Sequence, residues 1–459
     1  MHARWPAKGA MKILLLNQFF YPDVASTAQH ATDLARRLAK RGHQVTVLAS
    51  QRSYADPRVR FAAEELWEGV RILRVPQTWL GKGSRWRRAT DFASFMVACA
   101  WRLLWMPRFD VVVAMTTPPL ISFLATLFVR LKGGALHLWL MDLNPDQAVA
   151  AGWLRAGSLV HRFLEACLRF SLQTAVQVIA LDRFMKQRLL DKGVAPEKIR
   201  ILPPWTHDDA VRYDEAGRRR FRQQRGLEGK FVVMYSGNHS PCHPLDTLLA
   251  AARQLEGRPD VLFCFLGGGS EFGKVKRSGL QNVICLPYQP LDQLGASLSA
   301  ADLHVVVMGE PFVGIVHPCK IYNILRLGIP VLYIGPVQGH ITDLIPPEAV
   351  GGWAHLFRHG DVEGVVACIA KCAESPLRRS AEVVRLAAGF AESALAPKLA
   401  DLLVSGLPRP GMWQQTGQVL PKQLAKTAVG SNTGRSAFFV SAKKLVASDP
   451  GLGKNGAER

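Results

Sequence analysis

Lys320 offers the clearest chemical opportunity in the chain. It stands in Pro318-Cys319-Lys320-Ile321-Tyr322, between a run that reads as a strand and one that reads as a helix. There an ammonium can point into a cleft and share the helix N-terminus with a phosphate; the plain alternative is a solvated surface lysine. Asn323 follows on the same segment, able to donate and accept hydrogen bonds without charge, and Gly328-Ile329-Pro330 ends it. Ser26 and Thr27 lie where a strand gives way to a helix, so free N–H groups there suit an anion or a polar sugar group, or simply a helix cap. Gly237-Asn238-His239, with His243 nearby, closes another strand; a histidine near pKa 6.5 gains charge beside anions, while a capping loop is the bland reading. Gly267-Gly268-Gly269-Ser270 allows close backbone approach to a ligand or a tight turn. Tyr288 reads as a loop aromatic, and Asp142, with Asn144 and Asp146, as either a cleft-edge carboxylate or a cap before Pro145.

These residues need rigid elements to hold them, and the hydrophobic pattern supplies two sets. Lys12 to Leu16 is an apolar strand, followed by a helix with apolar Ala31, Leu34, Ala35 and Leu38 that stops at Gly42. Strand-like runs recur at Val45 to Ala49, Val70 to Val75, Val111 to Met115, Ala135 to Leu140 and Val176 to Ala180, separated by helical lengths. A charged stretch after Trp205 reads as a linker and its helix. The alternation then restarts at Phe231 to Tyr235, Val261 to Leu266, Val283 to Leu286, Leu303 to Val307 and Val331 to Ile334. Strands alternating with helices predict parallel sheets covered on both faces, and two such α/β halves in series leave a cleft where the C-terminal strand ends converge.

Composition bounds the rest. A chain of 459 residues exceeds what one core usually organises. Its 57 Lys and Arg against 36 Asp and Glu leave +21, which points to anionic small molecules, nucleic acid or an anionic membrane surface. The eight cysteines form no C-x-x-C pair and sit mostly in apolar runs, which speaks against a disulfide framework and a zinc site and for a reducing cytoplasm. Residues 1 to 10 are polar and the first apolar run is only a strand's length, so no signal peptide is expected, and Met11 is a second candidate start. Phe92 to Met106 contains Arg102 and Val111 to Val129 is broken by Thr116-Thr117-Pro118-Pro119, so neither supplies a spanning helix.

In combination, Asn17-Gln18-Phe19-Phe20-Tyr21-Pro22, Arg41-Gly42-His43-Gln44-Val45-Thr46-Val47, Met141-Asp142-Leu143-Asn144-Pro145-Asp146, Tyr235-Ser236-Gly237-Asn238-His239 and the Pro318 to Pro330 segment resemble family 4 of the retaining glycosyltransferases. The likeness spans roughly residues 11 to 400 and is nearest to the polysaccharide branch that makes colanic acid and O-antigen. It implies the GT-B fold, two Rossmann-like domains in series with an interdomain cleft. The expected division is an acceptor-binding domain at 11–205, a nucleotide-sugar domain at 206–380, a helix at 381–404 packing back toward the first domain, and a poorly ordered tail at 405–459.

The resemblance also implies roles. Lys320 and the Gly-x-Pro segment would hold the diphosphate of a nucleotide-sugar, with Gly237 and Gly268 allowing close approach and Tyr288 near the base. Where relatives carry an Arg and a Lys for the leaving diphosphate, this chain has Asn238 and His243, and Asn323 replaces a ribose-binding Glu. Asp142 would face the reacting sugar and the acceptor hydroxyl, with Ser26, Thr27 and His239 as further substrate contacts. No metal or cofactor is implied, the donor being a substrate. Positive charge on the leaving phosphate would supply most of the stabilisation in a same-face reaction.

Lys82, Arg85, Arg87 and Arg88, ahead of the apolar Trp86 to Trp105 stretch, suggest an interfacial helix on anionic lipid of the inner leaflet. It would bring the cleft to a polyprenyl-diphosphate-linked saccharide acceptor; a buried helix with a basic flank is the alternative. The expectation is a cytoplasmic, peripherally membrane-associated hexosyltransferase-type enzyme. Two alternatives stay open: a nucleotide-sugar 2-epimerase of the same fold, and a non-catalytic partner protein. No nucleic-acid recognition motif accompanies the charge.

Overall fold

The computed structural model describes residues 9–405 except 55, 57, 81–84, 207–210, 346–348, 351 and 377, together with the backbone but not the side chains of Arg85, Trp86 and Arg88. Of the tail expected at 405–459 all but residue 405, and Lys82 of the basic cluster, lie outside the described residues.

Two sheets follow one another along the chain. The first contains β1 (Lys12–Leu16), β2 (Gln44–Ser50), β3 (Glu64–Trp67), β4 (Val70–Val75), β5 (Val111–Ala114), β6 (Ala135–Trp139), β7 (Gln177–Ala180) and β8 (Ile199–Ile201), in the order β3-β4-β2-β1-β5-β6-β7-β8. The second contains β9 (Phe231–Asn238), β10 (Val261–Gly268), β11 (Val283–Leu286), β12 (Leu303–Val307), β13 (Val331–Ile334) and β14 (Ala354–Phe357), in the order β11-β10-β9-β12-β13-β14. All pairs are parallel except β3 with β4. Ile13 through Leu16, Val111 through Ala114 and Leu303 through Val307 are buried on both faces, which is why they read as unbroken apolar runs. Between β1 and β5, and again between β9 and β12, the strand order reverses. The loops leaving those strands open a crevice at each switch point, where ligands of such sheets bind.

Three strands escaped the periodicity. β3 is a charged antiparallel edge, β8 has three residues and β14 is an outer strand; edge positions need no continuous apolar run. The single helix expected over 381–404 is two. Ala381–Ala387 packs on helix Lys320–Leu327 in the second half, and Glu392–Val404 packs on helix Ser26–Lys40 in the first, with a tight turn over Ala388–Phe390 between them. Gly389 disfavours helix there, and the Phe390 carbonyl accepts from the Thr206 amide instead of continuing a helical ladder. Arg37 to Glu392 at 3.0 Å and Arg41 to Asp401 at 2.7 Å hold the returning helix.

The halves are also stitched directly. Asp142 and Val316 form an isolated antiparallel bridge, and the Leu143 amide donates to the Ile315 carbonyl at 2.8 Å. Asp182, after β7, accepts at Oδ2 from His317 Nδ1 at 2.7 Å, while its Oδ1 caps helix Arg183–Asp191 by accepting from the Met185 amide at 2.7 Å.

Candidate active site

A cavity of about 440 Å³ lies between the two halves, at the C-terminal ends of both sheets. Helix Lys320–Leu327 forms part of its floor. Ile321, Ile324, Leu325 and Leu327 anchor that helix in the core, and the three-residue spacing sets Lys320 and Asn323 on one face toward the cavity. The Lys320 Nζ is closed off from solvent and has no hydrogen-bond partner among the described residues. Its charge rests over the Tyr235 ring, 3.6 Å from the centroid. Burial lowers its pKa from 10.5 to about 7. A buried, unpartnered ammonium is costly unless an anion completes it, so the geometry describes an anion receptor.

Gly237 faces that ammonium at φ 132°. A Cβ there would stand 3.3 Å from both Cε and Nζ of Lys320. The glycine is therefore required by backbone conformation and by the approach of the lysine together.

Asp142, contributed by the first half, lines the same cavity two residues past the apolar run of β6 and its extension, and is held by its bridge to Val316. It is the only carboxylate lining the cavity among the described residues. Burial raises its pKa from 3.8 to about 6, leaving it ionised but basic at neutral pH. Ser26, Thr27, Asn238, His243, Tyr288 and Asn323 line the same cavity. Ser26 and Thr27 do not cap their helix: Ala25 holds that position, without a side-chain bond.

Two expected contacts point elsewhere. His239 is buried outside the cavity lining, its Nδ1 3.0 Å from the Gly237 carbonyl and its ring 4.7 Å from that of Phe272. It braces the glycine loop from behind. Gly268 is covered by Tyr288, whose ring a Cβ would meet at 3.1 Å, and it is Gly267 that lines the cavity at this turn. His243 borders the cavity but is neutral. Its Nδ1 donates to the Val307 carbonyl at 2.7 Å, and burial, then the nearby Lys320 charge, lowers its pKa to about 3. The cation of the site is Lys320.

Phe19, Tyr54, Thr117, His317 and Cys319 also line the cavity. Phe19 and Cys319 belong to segments already singled out in the sequence, whereas nothing local marks Tyr54, Thr117 and His317 as lining residues, since they arrive by the meeting of distant loops. Tyr54 interacts with Tyr288 across the cleft, closing the end beyond Gly267. Behind the wall, Asp182, His317 and His340 hold ligand-type atoms within 4.8 Å of one another. Both His317 nitrogens are engaged, by Asp182 and by the Tyr322 hydroxyl at 2.7 Å each, so this cluster is a closed link between the halves and not a metal cradle.

Residues 27–205 match the glycosyl transferase 4-like domain family. The chain is 26% identical over 380 residues to a protein of Escherichia coli (strain K12) named as a colanic acid biosynthesis glycosyl transferase, WcaI, covering 78% of this chain and 91% of that one. It is 25% identical over 248 residues to a glycosyltransferase of Pseudomonas aeruginosa, WbjE, covering 53% and 62%. Among solved structures, that of Anabaena Alr3699/HepE in complex with UDP and glucose superposes with a TM-score of 0.62 at 17% identity, over 86% of this chain and all of the other. A domain match in the first half, a relative that reaches across the second and a shared two-sheet architecture converge on one assignment: the chain is a glycosyltransferase with the GT-B fold, its residues 27–205 matching the glycosyl transferase 4-like domain.

Proposed function

We propose that the protein transfers a sugar, with retention, from a nucleotide-diphosphate sugar to a hydroxyl of a lipid-linked saccharide in cell-surface polysaccharide biosynthesis. The observation that carries this reading is the Lys320 ammonium, buried without a hydrogen bond beside a glycine that leaves room for a ligand. A diphosphate completes that charge and is also the leaving group, so the interaction strengthens as the glycosidic bond breaks. A bound UDP in the similar Anabaena structure supports a nucleotide in this cleft, and the Escherichia coli relative's name supports the polysaccharide.

With one carboxylate lining the cavity among the described residues, a double displacement through a carboxylate pair has no second partner there. Retention then follows from attack on the face the phosphate leaves, the departing phosphate taking the hydroxyl proton. Asp142 orients the acceptor and stabilises positive charge at the sugar. Asn323 holds the ribose by neutral hydrogen bonds, and Lys320 meets the diphosphate charge without a metal, so a chelator leaves the rate unchanged.

Access to a lipid-linked acceptor is supported by the surface of the first half. Helix Arg85–Leu104 and the residue after it expose Val97, Trp101, Leu104 and Trp105, three of them on one stripe at four-residue spacing. Helix Ile121–Lys132 beside it exposes Leu131, and helix Leu159–Thr174 exposes Leu159 and Phe163. Arg87, Arg102, Arg130 and Arg162 are interspersed. No described helix is long and apolar enough to cross a membrane. Aromatic and aliphatic side chains among arginines suit insertion at the headgroup level of an anionic cytoplasmic leaflet.

The test is an incubation of the protein with labelled nucleotide-sugars and membranes bearing polyprenyl-diphosphate saccharides. Label should pass to lipid and be lost with Lys320→Ala. Label appearing in a new free nucleotide-sugar without acceptor would establish an epimerase, and no conversion across the panel a non-catalytic protein.

A further inference from the structure

Away from the cleft, on the outer edge of the second sheet, three soft ligand groups meet. Cys368 and Cys372 lie one turn apart on helix Val362–Glu374, and His355 stands on β14, the edge strand beside β13. Their Sγ and ring-nitrogen atoms all lie within 4.8 Å of one another, and Cys372 Sγ is 3.7 Å from His355 Nε2. Cys372 is buried against the core, while Cys368 and His355 are half-buried, so the cluster has a solvent-facing side.

We propose that these three residues form a zinc site, with water in the fourth position. Tetrahedral zinc, at about 2.3 Å from sulfur and about 2.0 Å from nitrogen, holds its ligand atoms roughly 3.5–3.8 Å apart. Cys372 and His355 already have that spacing, and the Cys368 sulfur lies within 4.8 Å of both. A disulfide is the poorer use of the same pair. Helical positions four apart keep their Cβ atoms about 5–6 Å apart, against about 3.5–4.5 Å in a disulfide, so oxidation would require the helix to unwind. Two sulfurs and an imidazole favour zinc over magnesium or calcium, which take oxygen ligands. The sequence hides the site, since the spacing of the cysteines is C-x-x-x-C and His355 precedes them on a separate strand. The metal would tie the outermost strand to the helix that covers it.

Cobalt is the probe. The full-length protein, reduced and freed of metal, should bind one equivalent of Co²⁺ with thiolate charge-transfer absorption and the visible bands of tetrahedral coordination. One equivalent of Zn²⁺ should bleach both. His355→Asn should weaken binding at least tenfold, and Cys368→Ser/Cys372→Ser should abolish the absorption and the rise in melting temperature that zinc gives the parent. Absence of thiolate absorption in the parent, or the same band in the double variant, overturns the site. Should the double variant fail to fold, alkylation of the parent decides: zinc must protect Cys368 and Cys372 selectively among the eight cysteines, and equal labelling with and without zinc refutes the proposal.

Discussion

The Lys320 ammonium lies 3.6 Å from the centre of the Tyr235 ring, and that aromatic face stands where hydrogen-bond acceptors would ordinarily hold a buried cation. A cation–π contact offsets only part of the lost hydration, which is why Lys320 titrates near 7 and not 10.5. Below pH 7 the lysine is charged before a diphosphate arrives; above it, binding must take up a proton. Nucleotide affinity should therefore fall by up to about tenfold per pH unit above 7, with proton uptake visible by calorimetry in buffers of different ionisation enthalpy. Lys320→Met should remove the slope, and a dissociation constant flat from pH 6 to 9 in the parent would contradict the assignment.

Gly237→Ala places a methyl group 3.3 Å from Lys320 Cε and Nζ at a backbone φ of 132°. Both the strain and the displaced ammonium act on donor binding. Transfer efficiency should drop on the order of 10²-fold through a 1 Å-scale displacement, in KM for the donor as well as in kcat, while the acceptor KM stays as it was. Steady-state kinetics with each substrate varied makes the distinction.

Asp142 separates activity from stability. Burial raises its pKa from 3.8 to about 6, so the folded state binds that proton more tightly than the unfolded one. The resulting stabilisation is present below pH 3.8 and is lost as pH rises through about 6; at neutral pH the buried carboxylate is a burden. Asp142→Asn should then raise stability at pH 7 by on the order of 1–3 kcal/mol in denaturant melts. It should also lower transfer by about 10²–10⁴-fold. The parent's activity should decline below pH 6, and a variant that is both less stable and fully active would remove Asp142 from the site.

Asp182 behaves oppositely. Burial would raise its pKa, but hydrogen bonding to His317, the charges of His317 and His340 and the Met185 amide outweigh this and hold it below 3.8. Its contribution is present above 3.8 and lost as pH falls through the folded-state value. Asp182→Ala removes the link between the halves and the helix cap at once, and should cost about 2–5 kcal/mol at pH 7. Asp182→Asn should recover part of it. Thermal melts of the three proteins against pH provide the check.

Trp101 and Trp105, with rings 5.8 Å apart, form an exposed aromatic pair on helix Arg85–Leu104 and its end. Trp101→Glu/Trp105→Glu should reduce sedimentation with anionic liposomes by about tenfold or more. Transfer to a detergent-soluble acceptor should persist. Unchanged liposome binding would place the contact on another face.

The two α/β halves were legible in the sequence, because strands buried on both faces must be written as continuous apolar runs and their helices as three-and-four spacings. Lys320, Asn323 and Asp142 were legible for the same reason: each follows a recognisable strand, where topology places ligands. The edge strands β3, β8 and β14, the break at Gly389, and the parts of His239 and Gly268 were not. Such features depend on which neighbour fills the space, Phe272 behind His239 and Tyr288 over Gly268, and neighbours distant in the chain leave no local pattern. The charge of the site was likewise a tertiary outcome. Only folding could bury Lys320 without a hydrogen bond and neutralise His243 beside it, since desolvation is a property of the assembled cavity and not of the residues that line it.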